Sequence, residues 1–510
     1  MKKKFNKNIL LLLIPIISII IYCFDLKSKH AAYFKEYFIF AISISIIMVA
    51  LIYILKKKDV NLEKSFLIVG LVLGLIYIFS SPLFTGSDEH NHYYRIYEIS
   101  EGTLVTPTDG GIIGSKLPES LSKTLSVNNK YSGYYNTSIK YSDIKDMIKI
   151  KLNKKKIIQH GYGFKTLYAN TALYSFVPYI PQAIGFSIGK LLNSSPYCIG
   201  VIGRIFNLLT YLAICYFGIK KMPKNKLAFM ILLLSPSLFS TACTLSADTL
   251  TNSVIFLFIA TIMDIYYRKK NMNRKEMVLL FTLSIIIGAS KIVYLPITFL
   301  LFLIPNDKFS SKKMKYFYCI GITLLSTIIN LIWLKFTDPY MNLIYTRTKL
   351  QEELILKAPF NYIKVLFTTF IKEFLHLTSS AFAGTDMYHS QILVNPIVSA
   401  VLLVLFILVL LNNENKKKIN TVSKVFIFVV MVTVSVLVCT AIYVQFDANF
   451  VALNNSYVKG LQGRYFIPAI MMIPLIVNKK MYKFDEKTIL YILTLLHIPV
   501  YLIMFIRFIA

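Results

Sequence analysis

Apolar runs of helical length recur from one end of this 510-residue chain to the other, and most polar stretches between them are short connectors. A run of about 20 apolar residues spans the hydrocarbon core of a bilayer as a helix, in which every backbone N–H and C=O is satisfied internally. A water-soluble chain of this length would divide into several compact domains with polar surfaces. The sequence therefore predicts an all-α polytopic membrane protein whose solvent, and first partner, is membrane lipid. The formal charge of +31 raises nucleic acid as another partner. The lysines, however, sit in short clusters beside apolar runs (Lys2–Lys4, Lys56–Lys58, Lys416–Lys418), with no basic stripe on a polar domain. That is the positive-inside pattern, and no nucleic-acid partner is expected.

The six cysteines are scattered and form no C-x-x-C pair, so neither a zinc site nor a disulfide framework is indicated. The start, MKKKFNKNILLLLIPIISIIIYCF, imitates a secretory signal but has bulky Ile and Tyr where a small-x-small cleavage site would lie. It reads as a retained first span.

Placing the basic clusters inside threads the chain. Spans one to three are expected over about 9–24, 34–55 and 65–84, followed by the longest polar region, 85–166, outside. Residues 167–192 carry Pro178, Pro181, Asn170 and Gln182 and read as helices lying at the outer interface; 197–219 is span four. Spans five and six (226–243, 249–267) turn through LSADTLTNS. Basic clusters flank 276–305 on both sides, which predicts two short helices meeting at Gly288-Ala289-Ser290-Lys291, with Lys291 at the outer apex. Span nine (316–335), a second external region (336–392) and spans over 393–411, 422–443, 464–478 and 488–508 complete thirteen. The N-terminus is then inside and the C-terminus outside. The organisation is an N-terminal hairpin (1–64), a core (65–335) holding the extracytoplasmic loop 85–196, the second external region, and C-terminal spans over 393–510.

This threading collects the unusual polar residues on one side. Asp88, Glu89, His90, His92 and Arg95 crowd the exit of span three, and on a helix Asp88, His92 and Arg95 share a face. Asp248 falls in the turn of spans five and six, Lys291 at its apex, Gln462 and Arg464 at the start of span twelve, and Asp386 and His389 in AGTDMYHS. Singly, most have plain structural readings: helix-dipole acids at 88 and 89, an N-cap at Asp248, an interfacial anchor at Arg464, and histidines that bind no metal. Lys291 is harder to explain that way, because a lysine in an apolar segment is costly unless paired or wetted.

An extracytoplasmic enzyme acting on lipid-linked substrates needs such a set. A carboxylate near the leaflet takes the proton from an acceptor hydroxyl as it attacks an anomeric carbon, and cations stabilise the departing lipid phosphate. Asp88 is the expected base, with Glu89 supporting it. Lys291, Arg464 and Arg95 are the expected phosphate contacts, and His92, Asp248, Gln462 and Tyr294 support them. A divalent cation, Mg or Mn, is an expected cofactor if Asp88, Glu89 and His92 hold one. No phosphate loop, nucleophile elbow or H-E-x-x-H helix is present.

The stretch SPLFTGSDEHNHYYRIYEISEG resembles the first-loop signature of a bacterial multi-pass membrane protein family of unknown function related to the C-type (GT-C) glycosyltransferase superfamily. That signature reads P-x-D-E-x-x-H-x-x-R-A-Y-E-I-S-x-G. It fits at Asp88, Glu89, His92, Arg95, Tyr97, Glu98, Ile99, Ser100 and Gly102, and departs at Ile96, where the family usually has Ala, and at Ser87, where Pro is common. SADTLTN, GASKIVYLPI and LQGRYFIPA resemble its later motifs in the same order, so the resemblance runs from about 66 to 478. NTALYSFVPYIPQAIGFSIGKLL and SPYCIGVIGRIFNLL also resemble the interfacial helix and arginine-bearing span of lipid-linked aminosugar transferases. The resemblance implies a GT-C-like bundle in a bacterial cytoplasmic membrane. It further implies an inverting glycosyltransferase that moves a sugar from a polyprenyl-phosphate donor to a cell-envelope glycopolymer or glycolipid. The competing expectation is a transporter or flippase of a cell-envelope polysaccharide pathway, which would place ionisable residues near the bilayer midplane, often in repeated halves.

Overall fold

The computed structural model describes residues 13–22, 24, 31–109, 111–127, 139–158, 168–383, 396–412, 419–477 and 485–509. Asp386, His389 and the two clusters Lys2–Lys4 and Lys416–Lys418 lie outside the described residues.

Helices α1 (Phe34–Lys57) and α2 (Leu62–Ser80) form a hairpin, and the Asn61 side chain starts α2 by accepting from Lys64 N at 3.1 Å. After α2 come α3 (Glu89–Ser100) and two small antiparallel sheets. The first pairs β1 (Thr108–Asp109) with β2 (Ile112–Ile113); the second pairs β3 (Lys116–Pro118) with β4 (Lys156–Ile158). Helix α4 (Ile180–Leu191) lies along α5 (Pro196–Lys221). Helices α6 (Lys226–Leu233) and α7 (Pro236–Cys243) meet at 59°, because Ser235 caps α7 and Pro236 has no N–H to continue α6. Helix α8 (Asp248–Tyr267) is the core, with 89% of its apolar stretch buried. Helices α10 (Lys312–Ile344) and α14 (Thr421–Ile442, continued by a π-helix Tyr443–Val451) reach only 28% and present their apolar side chains outward, as lipid-facing helices do.

Between α8 and α10, α9 (Arg274–Gly288) rises to Lys291 and a 3₁₀ helix, Ile292–Leu303, returns. Met272 N donates to Lys308 O at 3.2 Å, so the excursion closes at its base. Beyond α10 come α11 (Thr348–Lys357), α12 (Pro359–Ala383), α13 (Pro396–Leu410), a 3₁₀ turn Gly463–Phe466, α15 (Glu486–Leu495) and α16 (His497–Ile509).

Several basic loops collect at one end. Lys226 pairs with Glu63 and Lys487 with Asp59, while Asn225 Nδ2 donates to Pro474 O at 2.6 Å. Residues 81–89, 195–204, 241–248, 288–291 and 463–465 are joined to one another at the other end, through Arg204 on Ser81, Glu89 on Leu245, and Lys291 on Asp248 and Tyr465.

Among the described residues, seven helices are long and apolar enough to cross a bilayer, or nine if each bent pair counts as one. The chain is an all-α multi-pass membrane protein. The thirteen expected spans include five that fall on shorter helices: Leu13–Tyr22, α9, Ile292–Leu303, Ile397–Leu410 and Gly463–Ile476. Pro296 interrupts the second of the hairpin pair, whose 3₁₀ winding rises about 2.0 Å per residue and so reaches further than an α-helix of equal length. Within 336–392, the region expected outside, α10 runs on to Ile344 and α12 fills 359–383. Phe360, Ile363, Phe367, Ile371 and Phe374 form an exposed apolar stripe on α12. Lys364, Lys372 and Glu373 interleave with that stripe and hide it from a linear hydropathy reading. Helix α12 begins at α14 (Tyr362 to Thr440, 2.6 Å) and ends at Gly463 (N to Ser380 Oγ, 2.9 Å).

Candidate functional site

The turn after α2 sets the site. Asp88 takes a left-handed conformation (φ +51°) at the start of α3, and its side chain makes no capping bond. Half-buried, Asp88 lies within electrostatic reach of both His92, one turn along α3, and Arg464, which arrives from the far end of the chain.

Asp248, at the first turn of α8, forms an ion pair with Lys291 (Oδ1 to Nζ, 2.5 Å), both side chains about one-sixth exposed. The Asp248 turn is held by Gln182 of α4, which accepts from Ser246 N at 3.1 Å and donates to Ser246 O at 2.8 Å. Lys291 Nζ lies 5.0 Å from the ring centre of Tyr174 and 5.6 Å from that of Tyr465. The Arg464 guanidinium is 5.4 Å from the Tyr465 ring centre, and among the described residues the buried Arg464 Nε has no hydrogen-bond partner. Tyr294 donates to Tyr465 O at 3.0 Å and fixes that turn to the Lys291 hairpin. Cations so placed over aromatic faces keep their charge in a partly dry site.

His92 completes the group. Its Nδ1 is 2.7 Å from the Tyr179 hydroxyl, and its ring stacks on Tyr174 at 6.2 Å. Burial pushes the His92 imidazole down to about 4, so it is neutral at pH 7. The charges of Asp88, Asp248, Lys291 and Arg464 are all felt at this ring. Asp88, His92, Asp248, Lys291, Tyr294 and Arg464, from four distant segments, thus come together. Gln462 is half-buried one turn before Tyr465, accepting from Tyr465 N through its backbone oxygen at 3.0 Å.

Two residues go elsewhere. Arg95 turns from the Asp88–His92 face toward Glu98 (2.6 Å) and donates to Leu104 O (2.6 Å). Glu98 also accepts from Thr106 (2.7 Å) and Ser115 (2.5 Å), so this buried cluster fastens the strands of the loop to α3. Glu89 is fully buried and forked with Arg204 of α5: Nε to Oε1 and Nη2 to Oε2 are both 2.6 Å. With Glu89 on Arg204 and His92 Nδ1 on Tyr179, the trio Asp88, Glu89 and His92 does not form a metal-binding group. Among the described residues no cluster of three or more His, Cys, Asp or Glu does.

Arg204 was not a candidate from sequence, and neither was Asn207 one turn on, whose Nδ2 donates to Thr244 O at 2.7 Å and Thr241 O at 3.1 Å. The usable signal was an arginine and an asparagine three residues apart inside an apolar span, where each requires a partner.

One family model, that of a predicted membrane protein (DUF2142), matches residues 71–473. No curated protein and no solved structure matches the chain.

Proposed function

We propose that this chain, which belongs to the DUF2142 family of predicted membrane proteins, is an inverting glycosyltransferase of the bacterial cytoplasmic membrane. It transfers a sugar from a polyprenyl-phosphate donor to a cell-envelope glycopolymer or glycolipid on the extracytoplasmic face. The observation that carries this reading is the convergence of the half-buried carboxylate of Asp88, which caps no helix, with two aromatic-backed cations, Lys291 and Arg464, at the end opposite the basic loops. Positive-inside orientation puts that end outside, where no nucleotide sugar is available. The thirteen-span GT-C-like threading belongs to the same reading.

In the reaction, the acceptor hydroxyl oxygen bonds to the anomeric carbon as Asp88 takes its proton. The bond from that carbon to the phosphate oxygen breaks, and its electron pair leaves with the polyprenyl phosphate, whose charge Lys291 and Arg464 receive. Asp248 holds Lys291 over the site. Attack opposite the leaving group inverts the anomeric centre.

Binding of undecaprenyl phosphate to the detergent-purified full chain tests the donor half. Lys291→Met and Arg464→Met each weaken binding at least about tenfold if the cations hold the phosphate. Unchanged affinity in both removes the phosphate site. A transporter predicts another outcome: lipid-linked precursor retained on the inner leaflet when the chain is deleted.

A further inference from the structure

Glu89 lies next to the proposed base and is closed to substrate, and that raises the question of what a fully buried ion pair does beside a reaction site. Each atom of the pair is committed. Arg204 gives Nη1 to Ser81 O (2.7 Å) and Nη2 to Pro82 O (2.9 Å), besides its fork on Glu89. Glu89 Oε2 accepts from Gly86 N (3.0 Å), in the turn that presents Asp88. Glu89 Oε1 accepts from Leu245 N (3.0 Å), in the turn that presents Asp248. One carboxylate thus bridges the two acid-bearing turns, and one guanidinium fastens both to α5.

The turns also touch directly. A Cβ at Gly86 would sit 2.8 Å from Thr244 Cβ, so only glycine permits the approach. Asn207, one helical turn from Arg204, holds the other side of that contact through Thr244 O and Thr249 Oγ1 (2.9 Å). A buried ion pair is weak evidence for stability, since well-packed apolar residues do as well. Its four directional contacts to two turns are a geometric device that apolar residues cannot copy.

We infer that Glu89 and Arg204 are positioning residues that set the separation and orientation of Asp88 and Asp248, and through Asp248 of Lys291. They do so without touching substrate. The inference rests on the glycosyltransferase reading for what is positioned, but the bridge itself is testable without substrate.

The first experiment is amide hydrogen exchange on the full chain in detergent, wild type against Glu89→Gln. A carboxamide has one acceptor oxygen, so it cannot serve both turns. Exchange at Gly86 or Leu245 rises at least about tenfold while the core of α8 is unchanged. Unaltered protection at both positions overturns the bridge. The second uses Glu89→Met/Arg204→Met, which removes both charges together and so avoids stranding one of them. Its α8 core stays protected from exchange, while its affinity for undecaprenyl phosphate weakens and surface-glycan modification in cells falls at least about a hundredfold. Wild-type glycan output from this variant overturns the positioning role. If Asp88→Asn also leaves the glycan unaltered, the enzyme reading has failed, and the exchange result alone decides the bridge.

Discussion

Lys291 and Asp248 meet at 2.5 Å across the turns of two hairpins, with Tyr174 and Tyr465 over the ammonium. Each charge is only tolerable because of the other. Asp248→Asn therefore leaves a half-buried lysine unpaired and lowers stability by roughly 2 kcal/mol, a buried-pair penalty discounted for exposure. Asp248→Asn/Lys291→Met recovers most of that stability but not phosphate binding. Thermal unfolding in detergent, with undecaprenyl phosphate titrations on both variants, checks the separation.

The neutral His92 makes stability depend on pH. Its value is about 4 folded against 6.5 unfolded, so between these the unfolded chain binds more protons. The stability His92 contributes is complete above pH 6.5 and lost as pH falls toward 4, at about 1.4 kcal/mol per unit. Melting temperature from pH 7.5 to 4.5 should therefore fall more steeply for wild type than for His92→Gln. Parallel curves would show that the ring is not held neutral.

Arg95 is expected to serve the loop and not the phosphate. Arg95→Leu strands the buried Glu98 carboxylate, costing about 3–5 kcal/mol. Limited proteolysis of the loop accelerates, whereas Arg95→Leu/Glu98→Gln regains protection. Undecaprenyl phosphate affinity of the double variant matches wild type.

Gly463 permits Arg464 to reach the site. A Cβ there would lie 2.2 Å from Ala381 N and 2.3 Å from Leu377 O, both backbone atoms of α12 that cannot swing away. Gly463→Ala should shift the turn, cost about 1–3 kcal/mol, and weaken phosphate binding as Arg464→Met does. Retained affinity would mean that the approach to α12 is not what places Arg464.

Much of this was legible along the chain because charges at a bilayer edge are expensive. Lys291 in its apolar run stands out for that reason, whereas Asp248 and Arg464 each have a plain structural reading alone, and the structure brings the three together. What helical spacing cannot report is the partner across the gap. Arg95 shares a face with Asp88 and His92 by spacing, yet Glu98 one turn along and the carbonyl of Leu104 capture it. Glu89 is adjacent to Asp88, but the helix rotates about 100° per residue and turns it toward Arg204, 115 positions later. Helix α12 stayed hidden because its lysines dilute a stripe that only the 3.6-residue period reveals.

The most direct measurement compares cells carrying wild type with cells carrying Asp88→Asn at equal membrane levels, by mass spectrometry of surface glycan and of the lipid-linked sugar pool. The account predicts a glycan lacking one substituent and a matching rise in one polyprenyl-phosphate sugar. Glycan and lipid pools identical to wild type would contradict it.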